Sequence, residues 1–97
     1  KRCAPPFSVF CSTDQIAIGI LRALHDKALR VPHDVAVIGV DDIETAPYLT
    51  PALTTISLPK ERIGEKSAEM LIKLIEKQEV DEPRILLKPE LVLRETT

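Results

Sequence analysis

The sequence predicts an α/β fold with a parallel sheet, on three observations. Two short apolar runs, FSVFC (7–11) and VAVIGV (35–40), have the length of strands, and a helical stretch separates them. The second run shows no alternation of polar and apolar residues, which is typical of strands in parallel sheets. Strand, helix and strand within about 35 residues make one βαβ unit. With 97 residues, 44% of them hydrophobic, the chain suffices for one domain or less.

The first strand and the helix after it have clear boundaries. The apolar run 7–11 predicts a buried strand. Ser12 or Thr13 then provides an N-cap, and Asp14 places a negative charge in the first helical turn. We expect this helix to run to about Ala28.

The second strand, 35–40, is expected to be buried on both faces because all of its residues are apolar or glycine. A further short extended segment, LTTISL, covers 53–58. Its Thr54 and Thr55 are interpreted as packing residues, because β-branched side chains are favoured in strands.

A second helix is predicted over 59–78, with Pro59 suited to its first position. It has one apolar stripe and a charged back. Two extended runs follow, RILLK (84–88) and ELVLRE (90–95), separated by Pro89. The stripe consists of Ile63, Ser67, Met70, Leu71, Leu74 and Gln78.

The first helix has more apolar surface than one contact with a sheet requires. A helix that lies on one sheet needs a single apolar stripe. The excess predicts a second buried contact, with another chain or with a missing part of this one; a helix deep inside a larger domain is the alternative. The residues that cover most of its circumference are Ile16, Ala17, Ile18, Ile20, Leu21, Ala23 and Leu24.

Composition excludes several classes of function. The net charge is −2, and the basic residues are interspersed with acidic ones, so this segment has no basic surface for nucleic acid. No run reaches the roughly 20 apolar residues of a membrane span, and the N-terminus lacks the apolar core of a signal peptide. The chain opens at KRCAPPF without an initiator methionine, and we expect it to be part of something longer.

The sequence also has no motif for metal binding, cofactor binding or covalent catalysis. Cys3 and Cys11 are interpreted as small buried or incidental thiols, since a disulfide scaffold would have more cysteines. His25 and His33 lack companion ligands at zinc spacing. With only three glycines there is no phosphate-binding or dinucleotide-binding motif. We therefore expect no metal and no cofactor.

Two adjacent carboxylates, Asp41 and Asp42, follow the second strand directly. In open parallel sheets, ligands bind beyond the carboxyl ends of the strands. Neighbouring residues that leave a strand point in opposite directions, so one carboxylate can face a ligand while the other is used locally. Aspartate is also common in turns for its own hydrogen bonds, and both interpretations are open at this point. Adjacent residues do not face each other across a substrate, so an acid/base pair and an enzyme are not predicted.

Taken together, four stretches resemble the C-terminal part of the LacI/GalR family of bacterial transcription regulators. They are FCSTDQIAIGILRAL, LRVPHDVAVIGVDDIETAPYLTPALTTI, IGEKSAEMLIKLI and LLKPELVLRETT, in the family's order and spacing. The resemblance implies a Rossmann-like parallel-sheet lobe of the type I periplasmic-binding-protein fold, present here as a partial domain. Residues 1–58 would form the βαβ core of the C-terminal lobe, the helix 59–78 would cross to the N-terminal lobe, and 84–97 would supply terminal strands.

The same resemblance implies an effector site. It places Asp41 in the cleft, where its carboxylate accepts hydrogen bonds from effector hydroxyls or amines. Thr13 stands where the family usually has Asn, so an effector contact there is expected to be altered or lost. Leu58 stands where some sugar-responsive members have Gln, which implies either an effector with an apolar edge at that point or no contact there. Asp42 is expected to be structural, and Asp14 to be a helix-start residue rather than a ligand.

Dimerisation is also implied, through the first helix and the segment after the Asp pair. The residues concerned are Ile18, Arg22, Tyr48 and Leu49, and a two-fold interface would bury the same patch from both chains. Tyr48 has an alternative role as a turn aromatic that packs on its own lobe.

The function implied is the effector-sensing and dimerising part of a cytoplasmic LacI/GalR-type regulator. A small molecule, expected to be a sugar or a related metabolite, would control operator binding by an N-terminal helix-turn-helix domain that this sequence does not contain. The alternative is part of a soluble periplasmic sugar receptor, which shares the fold but does not bind DNA. A signal peptide upstream in the parent protein would favour that alternative.

Overall fold

A computed structural model of the chain describes residues 5–80 and 83–97. The predicted thiol at Cys3 lies outside these residues. The chain divides into two compact units. The sheet unit extends to Leu58 and is completed by Glu90–Thr97, and the helix unit is Pro59–Pro89. Each is described separately.

One four-stranded sheet forms the centre of the sheet unit, with the strands in chain order from edge to edge. The first three strands are parallel, with Val9 beside Val37 and Ile38 beside Thr54. The fourth returns antiparallel to the third. The strands are β1 (Phe7–Phe10), β2 (Val35–Val40), β3 (Thr54–Ser57) and β4 (Glu90–Val92).

The crossover between β1 and β2 contains the helix α1, Asp14–Asp26. Thr13 is its N-cap, and the Thr13 hydroxyl accepts a hydrogen bond from the Ile16 amide at 3.2 Å. At the other end Ala28 takes a left-handed conformation with φ 56°. Its amide donates to the His25 carbonyl, and the Leu29 amide donates to the Leu24 carbonyl, which closes the helix with a Schellman motif.

The core of the sheet unit lies between α1 and one face of the sheet. On β2 the residues alternate between buried and half-buried, so only one face is fully covered in this chain. The expectation of burial on both faces is therefore only half met. A short 3₁₀ helix, Ala46–Tyr48, contributes one residue to the core. The core residues are Cys11, Ala17, Leu24, Val35, Val37, Ala46 and Leu53.

The prediction that the first strand is buried is wrong for this chain. β1 is an edge strand, with Ser8 exposed and Phe10 65% exposed. A run of apolar residues predicts burial against neighbours on both sides, and among residues 5–80 and 83–97 β1 pairs with one strand, β2.

Residues 94–97 run beside the first half of β2 and close the sheet there. The Val37 amide donates to the Thr96 carbonyl at 2.9 Å, and the Thr96 hydroxyl donates to the Val37 carbonyl at 2.6 Å. That hydroxyl also accepts from the Thr54 amide at 2.8 Å. Thr96 is fully buried. The last four residues are thus part of the sheet's hydrogen-bond network.

The helix unit contains the helix α2, Lys60–Ile75, and none of its residues is buried. Pro59 is the N-cap rather than the first helical residue, because its ψ of 69° is outside the helical range. Lys77 closes the helix with φ 57°. In 84–88 the structure assigns no strand, so this predicted extended run is not part of the sheet, whereas the second run contains β4. The large exposed apolar residues of α2 are Ile63, Leu71, Ile72, Leu74 and Ile75.

Candidate functional site

The three residues predicted to contact an effector follow the three parallel strands at the same edge of the sheet. Thr13 comes shortly after β1, Asp41 directly after β2 and Leu58 directly after β3. Because the strands are parallel and neighbouring, their carboxyl ends lie side by side. The topology therefore gathers these positions at the edge where parallel sheets bind ligands.

The backbone at this edge is strained. Asp41 has φ 123° and Asp42 has φ 55°, so two successive residues with side chains lie in the positive-φ region. Such conformations cost roughly 1–3 kcal/mol each and persist only where the surroundings enforce them. Strain of this kind is concentrated at binding and active sites, which makes this turn the candidate functional site.

Three consecutive amides of the turn at residues 41–43, the Asp41 turn, are each anchored. The Asp41 amide donates to the Ile56 carbonyl at 2.9 Å. The Asp42 amide donates to the Thr55 hydroxyl at 3.3 Å, and the Ile43 amide to a carboxylate oxygen of Asp14 at 3.0 Å. These contacts join the turn to β3 and to the start of α1.

The Asp41 carboxylate differs from every other aspartate that the structure describes. Within residues 5–80 and 83–97, the side chain of Asp41 accepts no hydrogen bond from the protein. The other four each accept at least one, with partners that are Thr55 and Ile43 for Asp14, Arg22 for Asp26, Arg30 for Asp34 and Arg94 for Asp42. Asp41 is half-buried, and its acceptor capacity is available to a ligand.

Asp42 is used locally, as the alternation of side chains at a strand end implies. Its Oδ1 accepts from Nη2 of Arg94 at 2.8 Å, and both side chains are largely buried. The Nη1 of the same guanidinium donates to the Leu53 carbonyl at 2.8 Å, and the Arg94 amide donates to the Thr54 hydroxyl at the same distance. This ion pair ties the turn to the segment that follows β4.

Asp14 has a larger structural role than that of a helix-start residue. It is fully buried and accepts from the Thr55 hydroxyl at 2.6 Å and from the Ile43 amide. Gly39 makes room for it, because a Cβ at Gly39 would overlap the Asp14 carboxylate. A helix N-terminus also favours a negative charge at this position. Asp14 is not a ligand candidate, since both of its oxygens are engaged.

Thr13 and Leu58 have less distinctive surroundings. The Thr13 hydroxyl already accepts the capping bond from Ile16, which leaves its own proton and one lone pair for another partner. Leu58 is half-buried at the end of β3. Neither residue has a contact that identifies it with an effector.

Nucleophilic and metal chemistry have no centre in the described part of the chain. Burial, and secondarily the negative charge of Asp14, raise the pKa of the Cys11 thiol, so this thiol stays protonated and unreactive. Among residues 5–80 and 83–97, no group of three or more His, Cys, Asp and Glu side chains is arranged to hold a metal ion. In the same ranges no helix has the length and apolar character to cross a membrane.

Thr55 and Arg94 are the residues that sequence reasoning missed. Thr54 and Thr55 were interpreted as packing residues. Both are fully buried, but their hydroxyls also make hydrogen bonds that the sequence did not predict. Arg94 lies 52 positions from its partner Asp42. The sequence did contain one partial signal: Asp14 lies between a buried strand and a helix, where a carboxylate needs a hydrogen-bond donor. Short-range patterns do not show that Thr55 is that donor.

The second predicted surface lies on α1 and on the end of the 3₁₀ helix, where Tyr48 is its last residue and Leu49 follows it. Tyr48 is 83% exposed, so it does not pack on its own lobe as the alternative required. Ile18 is exposed, while Leu49 is half-buried against the core. The groove of about 430 Å³ at this surface is lined by Ile18, Leu21, Arg22, His25, Leu49 and Thr50.

Known proteins share both the sequence and the fold. The model of the periplasmic binding protein-like domain matches residues 1–97. The chain is 44% identical, over 91 residues, to the HTH-type transcriptional repressor PurR of Vibrio vulnificus, covering 94% of this chain and 27% of the repressor. Among solved structures, the lac repressor dimer bound to operator and the anti-inducer ONPF matches with a TM-score of 0.86 and 35% identity. That match covers 96% of this chain and 32% of that one.

A third comparison includes a sugar. The complex of the transcriptional regulator CelR with cellobiose matches with a TM-score of 0.87 and 33% identity, covering 93% of this chain and 28% of that one. The fold and these matches thus define a periplasmic binding protein-like domain. The chain belongs to the periplasmic binding protein-like domain family, in the form found in LacI/GalR-type regulators.

The predicted fold class and family are confirmed by these matches, and the regulator is favoured over the transport receptor. The chain spans about a quarter of the length of the curated relatives it matches, 27% for the Vibrio repressor. What the whole protein binds and controls is therefore a matter for proposal.

Proposed function

We propose that this chain is the effector-sensing part of a transcriptional regulator and that Asp41 contacts the effector. The observation that carries the proposal is the free carboxylate of Asp41, which a strained turn presents at the ligand-binding edge of the sheet. A protein that keeps an aspartate at such a position without a partner leaves its acceptors for something that arrives from outside.

The proposed effector is a carbohydrate or a related polar metabolite. A carboxylate can accept hydrogen bonds from two hydroxyls at once, and charge-assisted bonds are the stronger kind. The CelR complex contains cellobiose, which supports a sugar as the class of ligand. In this proposal Thr13 offers one hydroxyl to the effector and Leu58 provides an apolar contact.

The rest of the parent protein would read the DNA. This chain has a net charge of −2, with its basic residues interspersed among acidic ones, so operator binding is assigned to an N-terminal helix-turn-helix domain of a cytoplasmic parent. The repressor PurR of Vibrio vulnificus and the operator-bound lac repressor support this assignment. Effector binding would change operator affinity only as far as the effector prefers one arrangement of the parent over the other.

The helix unit is assigned to contacts with the N-terminal lobe of the parent. The chain leaves the sheet unit after Leu58 and re-enters it at Glu90, and α2 between these points buries no residue. An exposed apolar stripe of this size requires a partner in a soluble protein.

Homodimerisation is proposed through Ile18, Arg22, Tyr48 and Leu49. Exposed apolar side chains beside a groove on α1 support it, as does the dimeric state of the lac repressor structure. Sedimentation equilibrium of the parent should give twice the monomer mass. A monomer at tens of micromolar would remove this part of the proposal.

The test of the effector site is Asp41→Asn in the full-length parent, measured by calorimetric titration with cellobiose and a panel of other mono- and disaccharides. We expect affinity for the sugar that binds to fall about 100-fold, or roughly 2.7 kcal/mol, because two charge-assisted bonds are weakened. The melting temperature should change little, because the Asp41 side chain accepts no hydrogen bond from residues 5–80 and 83–97 that the substitution could break.

The matched control is Asp26→Asn, which also removes one carboxylate but at an exposed ion pair with Arg22 far along α1. Its sugar affinity should stay within twofold of the parent. Equal affinity in the Asp41→Asn and Asp26→Asn variants would exclude Asp41 from the site. A parent that binds no sugar but responds to another metabolite through Asp41 would keep the site and change the effector class.

A further inference from the structure

The conformation of the Asp41 turn needs more than its own sequence to maintain it. Neither Asp41 nor Asp42 is glycine, and both have positive φ. In the unfolded chain both residues prefer other conformations, so the native turn has to be selected by contacts elsewhere. The contacts available are the three anchored amides and the ion pair of Asp42.

One hydroxyl links two of the anchors. The Thr55 Oγ1 accepts from the Asp42 amide at 3.3 Å and donates to Asp14 Oδ1 at 2.6 Å. The other oxygen of Asp14 accepts from the Ile43 amide at 3.0 Å. Since Thr55 and Asp14 are fully buried, no solvent competes for these bonds. The Asp42 and Ile43 amides are therefore fixed through a single buried pair.

Arg94 holds the same turn from the other side. Its guanidinium donates to the Asp42 carboxylate and to the Leu53 carbonyl, each at 2.8 Å, which bridges the turn to the residue before β3. The planar guanidinium makes both contacts at once, and a lysine could not reproduce this geometry.

We propose that Thr55 and Arg94 are positioning residues that hold the Asp41 turn in its strained form and so aim the Asp41 carboxylate at the effector. The last clause rests on the proposed function, whereas the control of the turn conformation does not. Neither residue touches the effector in this proposal. Thr55 acts through the Asp42 amide and Asp14, and Arg94 acts through the Asp42 carboxylate.

The chain contains a matched control for Thr55. Thr96 is also fully buried, its hydroxyl also donates at 2.6 Å, to the Val37 carbonyl, and it also accepts from a backbone amide, that of Thr54. Thr55→Val and Thr96→Val thus delete the same group from the same kind of environment. Only the first deletion touches the Asp41 turn.

The experiment is amide hydrogen exchange of the ligand-free, full-length parent, read by mass spectrometry with fragmentation to single amides at residues 41–43. In Thr55→Val the Asp42 and Ile43 amides should exchange at least tenfold faster than in Thr96→Val, after both are referenced to the amides of α1. Thr55→Ser, which keeps the hydroxyl, should restore protection to within about threefold of the parent.

Equal exchange at Asp42 and Ile43 in the two valine variants, or no rescue by serine, would overturn the role of Thr55. If Thr55→Val does not fold, Arg94→Met decides the matter: at least threefold faster exchange at Asp42 and Ile43 supports the proposal, and unchanged exchange overturns it. Because the protein carries no ligand here, these results are independent of whether Asp41→Asn loses its sugar. The failure of the effector site and the failure of the positioning residues can thus be told apart.

Discussion

The two units of this chain differ in how much of their side-chain surface is buried. The sheet unit has fully buried side chains from α1, β2 and β3, and its buried threonines and aspartate have hydrogen-bond partners. In the helix unit α2 buries no residue, and apolar side chains such as Leu74 and Ile75 are more than half exposed. The difference indicates that the sheet unit is stabilised by its own contacts, whereas α2 has no buried residue and, in the proposed function, is covered by the N-terminal lobe of the parent.

Truncation of one leucine to alanine in each unit should give the largest difference in stability between the two units. Leu53→Ala removes a fully buried side chain and should lower the free energy of unfolding by about 3 kcal/mol. Leu74→Ala, at a position 62% exposed, should change it by less than about 0.5 kcal/mol in the 97-residue chain. Urea denaturation of both variants measures the difference.

The same two substitutions in the full-length parent test whether α2 is covered there. If α2 is covered by the N-terminal lobe, Leu74→Ala should become nearly as destabilising as Leu53→Ala there. A cost below about 0.5 kcal/mol in the parent as well would show that the stripe on α2 stays uncovered.

Glycine-to-alanine substitution should lower stability in the sheet unit and favour the helix in the helix unit. At Gly39 the new methyl group would overlap the Asp14 carboxylate, which is fixed by its own hydrogen bonds, so we expect a loss of about 2 kcal/mol. At Gly64 in α2 a methyl group meets no atom within 4 Å and raises helix propensity. Circular dichroism should show slightly more helix for Gly64→Ala, and thermal unfolding a lower midpoint for Gly39→Ala. A tolerated Gly39→Ala would mean that Asp14 can move.

The smallest expected effect comes from the two helix ends, which have the same motif. Ala28 ends α1 and Lys77 ends α2, each in a left-handed conformation that glycine adopts more readily. Ala28→Gly should raise the free energy of unfolding by about 0.5 kcal/mol, because α1 is part of the cooperative core. Lys77→Gly should leave the main transition unchanged. A matching gain at Lys77 would show that the helix unit unfolds together with the sheet unit.

The features predicted well from sequence depend on neighbours along the chain. The N-cap at Thr13 was among the two candidates, and the limits of β2 were correct because apolar runs and capping residues act over a few positions. The position of Asp41 at the ligand-binding edge also followed from strand order alone, since parallel strands align their carboxyl ends.

The features that were missed depend on residues far apart in the chain. Asp14 meets Thr55 across 41 positions, and Arg94 meets Asp42 across 52. A single sequence shows each residue but not which distant residue it contacts. The exposure of β1 had another cause, because the apolar run included Phe10, which is 65% exposed, whereas Phe7 and Val9 do pack against the core.

Residues 94–97 complete the sheet, and this has a consequence for biosynthesis. The amides of Val37 and Thr54 receive their partners only from Thr96, which the ribosome adds 42 residues after Thr54. At about 5–20 residues per second, the centre of the sheet waits roughly 2–8 s for its last pairing. During that interval the Val37 and Thr54 amides of the nascent chain lack these partners. A chaperone that binds unpaired strands would act in this period.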